Sequence, residues 1–357
     1  MLGKYWPLIV PIAAAAVLGL ALAFPPGPML LVGVAIVLIG AVIAAVHHAE
    51  VVAHRVGEPF GTLVLALAVT VIEVALIISV MLAGDAESAT LPRDTLFAAV
   101  MIICNGVVGA CLLLGAMRHR EQVFRIEGAS AGLASVIALA TLSLVMPTLT
   151  ISAPGARYTT SQLLFVAVAS LALWLLFVFV QTVRHRDYFL PPRDSANEDV
   201  HAQPPTDREA WASVALLLVS LVVVVGLAKT LSPAIEAAVS SAGAPRAVIG
   251  IAIALLVLLP ETWAAIRAAR ADRIQTSLNL AYGSALASIG LTIPVVVAAS
   301  VLLELPLRLG LDAKDIALLT LTFLVSPITL ATGRTNMMPG GVHLVIFAAF
   351  LFLALVP

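Results

Sequence analysis

Eleven apolar runs, each close to 20 residues long, follow one another along this chain, at roughly 6–24, 28–46, 60–82, 95–117, 129–150, 161–183, 211–230, 247–269, 277–302, 315–333 and 341–357. Lipid offers no partner to backbone N–H and C=O groups, so a segment inside it must satisfy its own, and a helix of about 20 residues does this while crossing the hydrocarbon core. The expected fold is therefore an all-α polytopic membrane protein with eleven transmembrane helices. Composition agrees: of 357 residues 61% are hydrophobic and 11% charged, against about 25% charged in soluble domains. A water-soluble enzyme is excluded. The formal net charge of −1 leaves no basic surplus to neutralise phosphates, so nucleic acid is excluded as a partner and the lipid bilayer takes its place. Cys104 and Cys111 stand seven apart in one run, roughly 10 Å along a helix, too far for a disulfide.

Only one connection is long and polar: 184–210, RHRDYFLPPRDSANEDVHAQPPTDREA, rich in proline and charge as exposed connections are. It divides the chain into an additional N-terminal helix (1–27), a first five-helix repeat (28–183), a cytoplasmic linker (184–210) and a second five-helix repeat (211–357). Lys and Arg concentrate at the N-terminus and in the loops after the even-numbered helices, including Arg55, Arg118, Arg120, Arg184, Arg186, Arg267 and Arg270. By the positive-inside rule these face the cytoplasm, as does the N-terminus, which puts the C-terminus outside. Ala21-Leu22-Ala23 has the look of a signal-peptide cleavage site, but the n-region carries a single Lys, and the first run is read as a membrane helix.

Two carboxylates lie deep in apolar runs. Glu73 is near the middle of the third, Glu261 near the middle of the eighth. A charge at the bilayer centre costs on the order of 2.5–3.5 kcal/mol, and such groups face a cavity and handle an ion or proton, or else sit protonated between helices. Each stands in the second helix of its half. A five-helix unit ends on the side opposite its start, so two in succession are inverted, and inverted repeats place substrate and coupling ion near the midplane where they meet.

Neutral oxygens accompany both carboxylates. Thr70 precedes Glu73; Pro260 precedes Glu261 and frees a backbone carbonyl near Leu256. The helices that follow carry Asn105 in one half and Asn279, Ser284 and Ser288 in the other. Two carboxylates with neutral oxygens suit a hard cation, and calcium takes 6–8 such ligands at about 2.3–2.6 Å. With no thiolate or imidazole beside them, a soft transition metal fits less well. Burial favours the protonated carboxylate and a bound cation favours the ionised one, so cation and proton compete and their exchange is coupled. A hard cation such as Ca²⁺ and H⁺ are then cargo, and no cofactor is expected.

Other residues invite smaller readings. His47, Glu50 and His54 share a face where the second helix continues as HHAEVVAHR, with Glu58 beyond; they read as a cytoplasmic entrance or pH sensor, or as a solvated helix end. His343 reads as a packed histidine, Arg334 as an interfacial anchor, and Gly106, Gly109 and Ala110 as a close helix crossing. Asp194, Glu198, Asp199, Asp207 and Glu209 in the linker, flanked by prolines, read as part of a disordered segment in preference to a regulatory Ca²⁺ site. A membrane-embedded metalloenzyme would need more than HHAE…H, which is not H-E-x-x-H, and a passive channel would need a filter-like loop.

The stretches GEPFGTLVLALAVTVIEV (57–74) and LVLLPETWAAIRAARADRIQTSLNLAYGSALASIG (256–290), with the C-terminal GRTN and GGVHLVIFAAFLFLALVP, resemble the α-repeats and C-terminus of the calcium/cation antiporter superfamily, in its bacterial ChaA-type cation/proton branch. The resemblance implies one helix ahead of a 5+5 inverted repeat, and a site built by helices 3, 4, 8 and 9 in which Glu73 and Glu261 bind cation or proton. It implies export of Ca²⁺ against H⁺, with Na⁺ or K⁺ also carried in this branch. Where the superfamily often has Ser/Thr-x-Pro-Glu, the first repeat keeps Thr70 with Ile72 before its Glu, and the second keeps Pro260 with Leu258.

Overall fold

The computed structural model of the protein describes all residues except 1, 25, 58, 59, 84–88, 191–204, 242, 244, 246 and 357, so Glu58, Asp194, Glu198 and Asp199 lie outside the described residues. The long helices, in chain order, are α1 (Leu2–Ala23), α2 (Pro28–Val56), α3 (Phe60–Ala83), α4 (Leu91–His119), α5 (Ile126–Leu149), α6 (Thr160–Arg184), α7 (Asp207–Ser241), α8 (Ala247–Arg270), α9 (Ile274–Leu302), α10 (Ala313–Leu330) and α11 (Met337–Leu355). Among the described residues ten are long and apolar enough to cross a membrane, and α3 adds the shorter apolar stretch Ala66–Leu82. Many large side chains, Ile36, Phe165, Leu175, Val345 and Phe352 among them, remain exposed, as faces that meet lipid do.

Helix ends follow local chemistry. Gly27 precedes Pro28 at the start of α2, and Gly57, at φ 76, ends that helix with its N–H on Ala53 O, a conformation that favours glycine. Thr159 and Gln162 form a capping box at the start of α6, and the Asn336 side chain accepts from Met338 N at the start of α11. Thr206 and Glu209 cap α7: Glu209 Oε2 accepts from the Thr206 backbone N–H and hydroxyl, so this helix begins earlier than its apolar run does. Among the described residues three helices carry a π-helical stretch, Ile102–Val107 in α4, Thr141–Val145 in α5 and Val180–Arg184 in α6.

The chain forms two compact units, 1–88 with 200–249, and 89–199 with 250–357. In the first, α1, α2, α3 and α7 pack together. In the second, α4 is central, with every residue from Leu91 to Met101 buried. One side of this unit gathers the end of α4, the end of α8, the starts of α9 and α11, and a two-stranded antiparallel clasp, β1 (Gln122–Val123) with β2 (Arg334–Thr335). Its other side gathers the starts of α4, α8 and α10, where Arg93 and Asp94 form a buried ion pair at 2.8 Å and Arg93 Nη1 donates to Gly310 O. Helix ends alternate between the two sides, as successive membrane crossings require.

Candidate cation site

In the first unit, Glu73 is 3% exposed, flanked by buried Ile72 and Val74. Thr70, also buried, stands three residues earlier on the same helical face. The residue is thus shielded from solvent. Nearly two turns beyond Glu73, Ser79 donates its hydroxyl to Ala75 O at 2.6 Å.

Glu261 is half-buried on α8 in the second unit. Pro260 precedes it inside the helix; lacking an N–H, it leaves the Leu256 carbonyl without its helical donor. The next residue, Thr262, donates to Leu258 O at 2.7 Å. Both ends of α8 are tied to α4. Near its start, a Cβ on Gly250 would lie 2.8 Å from the backbone of Asp94 and Thr95. At its end, Gln122 Nε2 donates to Ala269 O at 3.0 Å and to Asp272 at 2.9 Å, and His119 Nε2 donates to Arg270 O at 3.0 Å. Carbonyls in the last turn of α8 thus take side-chain donors from the end of α4 and the chain just after it, and Ala269 O also accepts from Asp272 N–H at 3.2 Å.

Asn105, 0% exposed, lies in the π-helical stretch of α4; such stretches recur at functional sites. Its Nδ2 donates to Thr322 Oγ1 on α10 at 2.9 Å, and its Oδ1 meets His343 Nδ1 on α11 at 3.0 Å. On α9, Ser288 is buried and Ser284 half-buried, one turn apart. Asn279 lies nearer the start of α9: its Nδ2 donates to Phe189 O at 2.6 Å and its Oδ1 accepts from Gln275 at 2.9 Å, which ties the 186–189 turn to the helix.

The histidines of α2 separate by environment. Glu50 and His54 are exposed, and His47 packs its ring 5.1 Å from that of Trp6. Among the described residues no group of three His, Cys, Asp or Glu is placed to hold a metal ion. His48, which the periodicity of the segment does not single out, is buried and binds Pro7 O at 2.9 Å through Nε2 and Ser213 Oγ at 3.2 Å through Nδ1. Pro11 explains the first bond: without an N–H it cannot reach Pro7 O four residues back. That orphan acceptor requires a donor, so the His48 proton is on Nε2 and Nδ1 accepts from Ser213. The Pro7/Pro11 pair is the sequence signal that points to it. Nearby, Arg55 pairs with Asp207, so two of the linker acids, Asp207 and Glu209, serve the start of α7. Arg334 is exposed on β2, 4.0 Å from Glu121.

The model described as sodium/calcium exchanger protein matches residues 27–183 and 212–356. Over 355 residues, 99% of this chain and 96% of the relative, the sequence is 47% identical to y4hA of Sinorhizobium fredii, which is named as an ionic transporter. Over 354 residues, 98% of this chain and 95% of the relative, it is 35% identical to the sodium-potassium/proton antiporter ChaA of Escherichia coli. The fold matches the crystal structure of the selenium-substituted Ca²⁺/H⁺ antiporter YfkE with a TM-score of 0.71 at 15% identity, covering 98% of this chain and 99% of that one. The chain therefore belongs to the sodium/calcium exchanger family, in the ChaA-type branch of the calcium/cation antiporter superfamily, and is a multi-pass membrane antiporter of ions rather than an enzyme.

Proposed function

We propose that this protein exports Ca²⁺ from the bacterial cytoplasm in exchange for H⁺ by alternating access, with Glu73 and Glu261 taking up cation or protons in competition. The observation that carries the reading is the burial of a carboxylate, Glu73, in the middle of an otherwise apolar helix with Thr70 one turn away; Glu261, beside a proline in its own apolar helix, is its counterpart. Thr70, Asn105, Ser284, Ser288 and the carbonyl freed by Pro260 supply neutral oxygens. Residues 28–183 and 211–357 act as inverted repeats joined by the 184–210 linker, behind an additional helix in 1–27, with the N-terminus cytoplasmic and the C-terminus outside.

Two facing requirements produce coupling. A carboxylate held away from water favours its proton, and a bound cation favours its loss. If the doubly charged empty form is too costly to reorient, the protein changes exposure only when loaded. Each pH unit then supplies about 1.36 kcal/mol per proton, and each 100 mV about 2.3 kcal/mol per net charge moved.

In proteoliposomes, an imposed pH gradient drives cation uptake, and Glu73→Gln or Glu261→Gln abolishes it. Titrating the detergent-solubilised protein with Ca²⁺ releases protons. Cation flux that ignores a clamped pH gradient would point to a passive pore, and full exchange by either Gln variant would overturn the assignment of that carboxylate. A second reading, Na⁺ or K⁺ as the main cation at the same residues, is favoured by the name of the 35% identical relative; proton release on Na⁺ or K⁺ but not on Ca²⁺ would select it.

A further inference from the structure

α11 contributes no oxygen to the proposed site, yet it delivers a fully buried histidine to Asn105. Glycines make the approach possible. A Cβ on Gly340 of α11 would lie 2.5 Å from Leu113 N, and a Cβ on Gly109 of α4 would lie 3.0 Å from His343 Cβ. Two helices that close place the His343 ring one turn beyond the crossing, against the π-helical stretch where Asn105 sits.

The hydrogen bonds around the amide fix its orientation. Thr322 gives its own hydroxyl hydrogen to Leu318 O at 2.9 Å, so toward Asn105 it accepts, and the Asn105 group facing it is Nδ2. That leaves Oδ1 facing His343 Nδ1. An amide oxygen only accepts, so Nδ1 carries the hydrogen, and Nε2 accepts from Thr329 Oγ1 at 3.1 Å. Rotating the amide by half a turn would exchange its acceptor for a donor and present N–H to a cation.

We propose that His343 is a positioning residue for transport, holding Asn105 Oδ1 in one orientation through Nδ1–H so that the second lone pair of that oxygen is available to the transported cation. This rests on the assignment of Asn105 as one of the supporting oxygens. Groups that orient metal ligands from behind cost about 10–100-fold in affinity when lost, and the lower end of that range applies to one neutral oxygen among several ligands.

The test compares His343→Asn with His343→Gln in proteoliposomes, measuring KM and maximal rate for Ca²⁺ and for K⁺. Both variants are polar and neither is larger than histidine. Asparagine places its amide where Nδ1 stands; glutamine reaches to the place of Nε2. The expected result is a KM within about threefold of wild type for Asn, and about tenfold higher for Gln with the maximal rate little changed. In an Asn105→Ala background, which itself raises KM, the Gln substitution adds nothing. Independently, ¹⁵N spectra of histidine-labelled protein show the His343 hydrogen on Nδ1. If Asn105→Ala raises KM and His343→Gln does not, this inference falls while Asn105 keeps its assignment. If Asn105→Ala leaves KM unchanged, the assignment falls and the inference with it. A hydrogen on Nε2 overturns the proposed bond directly, with no variant needed.

Discussion

Gly340 and Gly341 are neighbours on α11, and the structure separates them sharply. A Cβ on Gly340 would lie 2.5 Å from Leu113 N, 2.9 Å from Leu113 Cα and 2.9 Å from Gly109 O, all backbone atoms of α4, whereas a Cβ on Gly341 would meet nothing within 4 Å. Ordinary contact is about 3.5 Å or more, so Gly340→Ala forces the two helices apart by about 1 Å. His343 Nδ1, now 3.0 Å from Asn105 Oδ1, would move beyond hydrogen-bond range. Overpacking costs about 1–3 kcal/mol, and a buried polar group stripped of its partner about 1–3 kcal/mol more. A loss of about 3 kcal/mol shifts the unfolding equilibrium on the order of a hundredfold. Gly341→Ala, by contrast, gains helix propensity of up to about 1 kcal/mol. Denaturant unfolding of the purified protein in detergent, followed by tryptophan fluorescence, reads both. Equal midpoints for the two variants would refute the reasoning, because helix propensity alone treats them alike.

Three further outcomes are expected. His48→Phe removes the donor on Pro7 O and costs about 1–3 kcal/mol, and Pro11→Ala, which restores the helical N–H to that carbonyl, offsets most of the loss; a double variant no more stable than His48→Phe alone, by thermal unfolding, would exclude this account. Asp94→Leu leaves buried Arg93 with Gly310 O and only the more distant carboxylate of Asp312, at 3.8 Å, and costs about 3 kcal/mol, while adding Arg93→Met recovers stability; the comparison of unfolding midpoints fails the argument if the double variant is the less stable. Gln122→Ala leaves the Ala269 carbonyl at the end of α8 with only the Asp272 N–H at 3.2 Å, costs about 1 kcal/mol and speeds amide hydrogen exchange over residues 271–273, where unchanged exchange would show the cap to be unimportant.

Much of the architecture was legible because lipid imposes one length on every crossing: each apolar run corresponds to one of the long helices. The departures have local causes. α7 starts at Asp207 because Thr206 and Glu209 cap it outside the apolar run, and α4 starts at Leu91 because Arg93 and Asp94 neutralise each other while buried. α2 runs on to Val56 through the HHAEVVAHR segment, as the continuation of its helix required. Glu73 could be picked out because a carboxylate among Val, Ile and Leu has few reasons to be there. The partners of Asn105 could not be, since His343 is 238 residues away in sequence and only a glycine-lined crossing brings it near. His48 and Gln122 escaped for the same reason: each answers a backbone carbonyl on another helix, and periodicity along one helix carries no record of that.

The two attachments of α8 bear on how an antiporter of this kind works. Near its start, Gly250 is wedged against Asp94 and Thr95, and its final carbonyls are held by Gln122 and His119, with Glu261 between. A carboxylate on a strut fastened at top and bottom keeps its height relative to α4. With α8 held to α4 in this way, the proposed mechanism changes which reservoir has a path to Glu261 rather than moving Glu261 along α4.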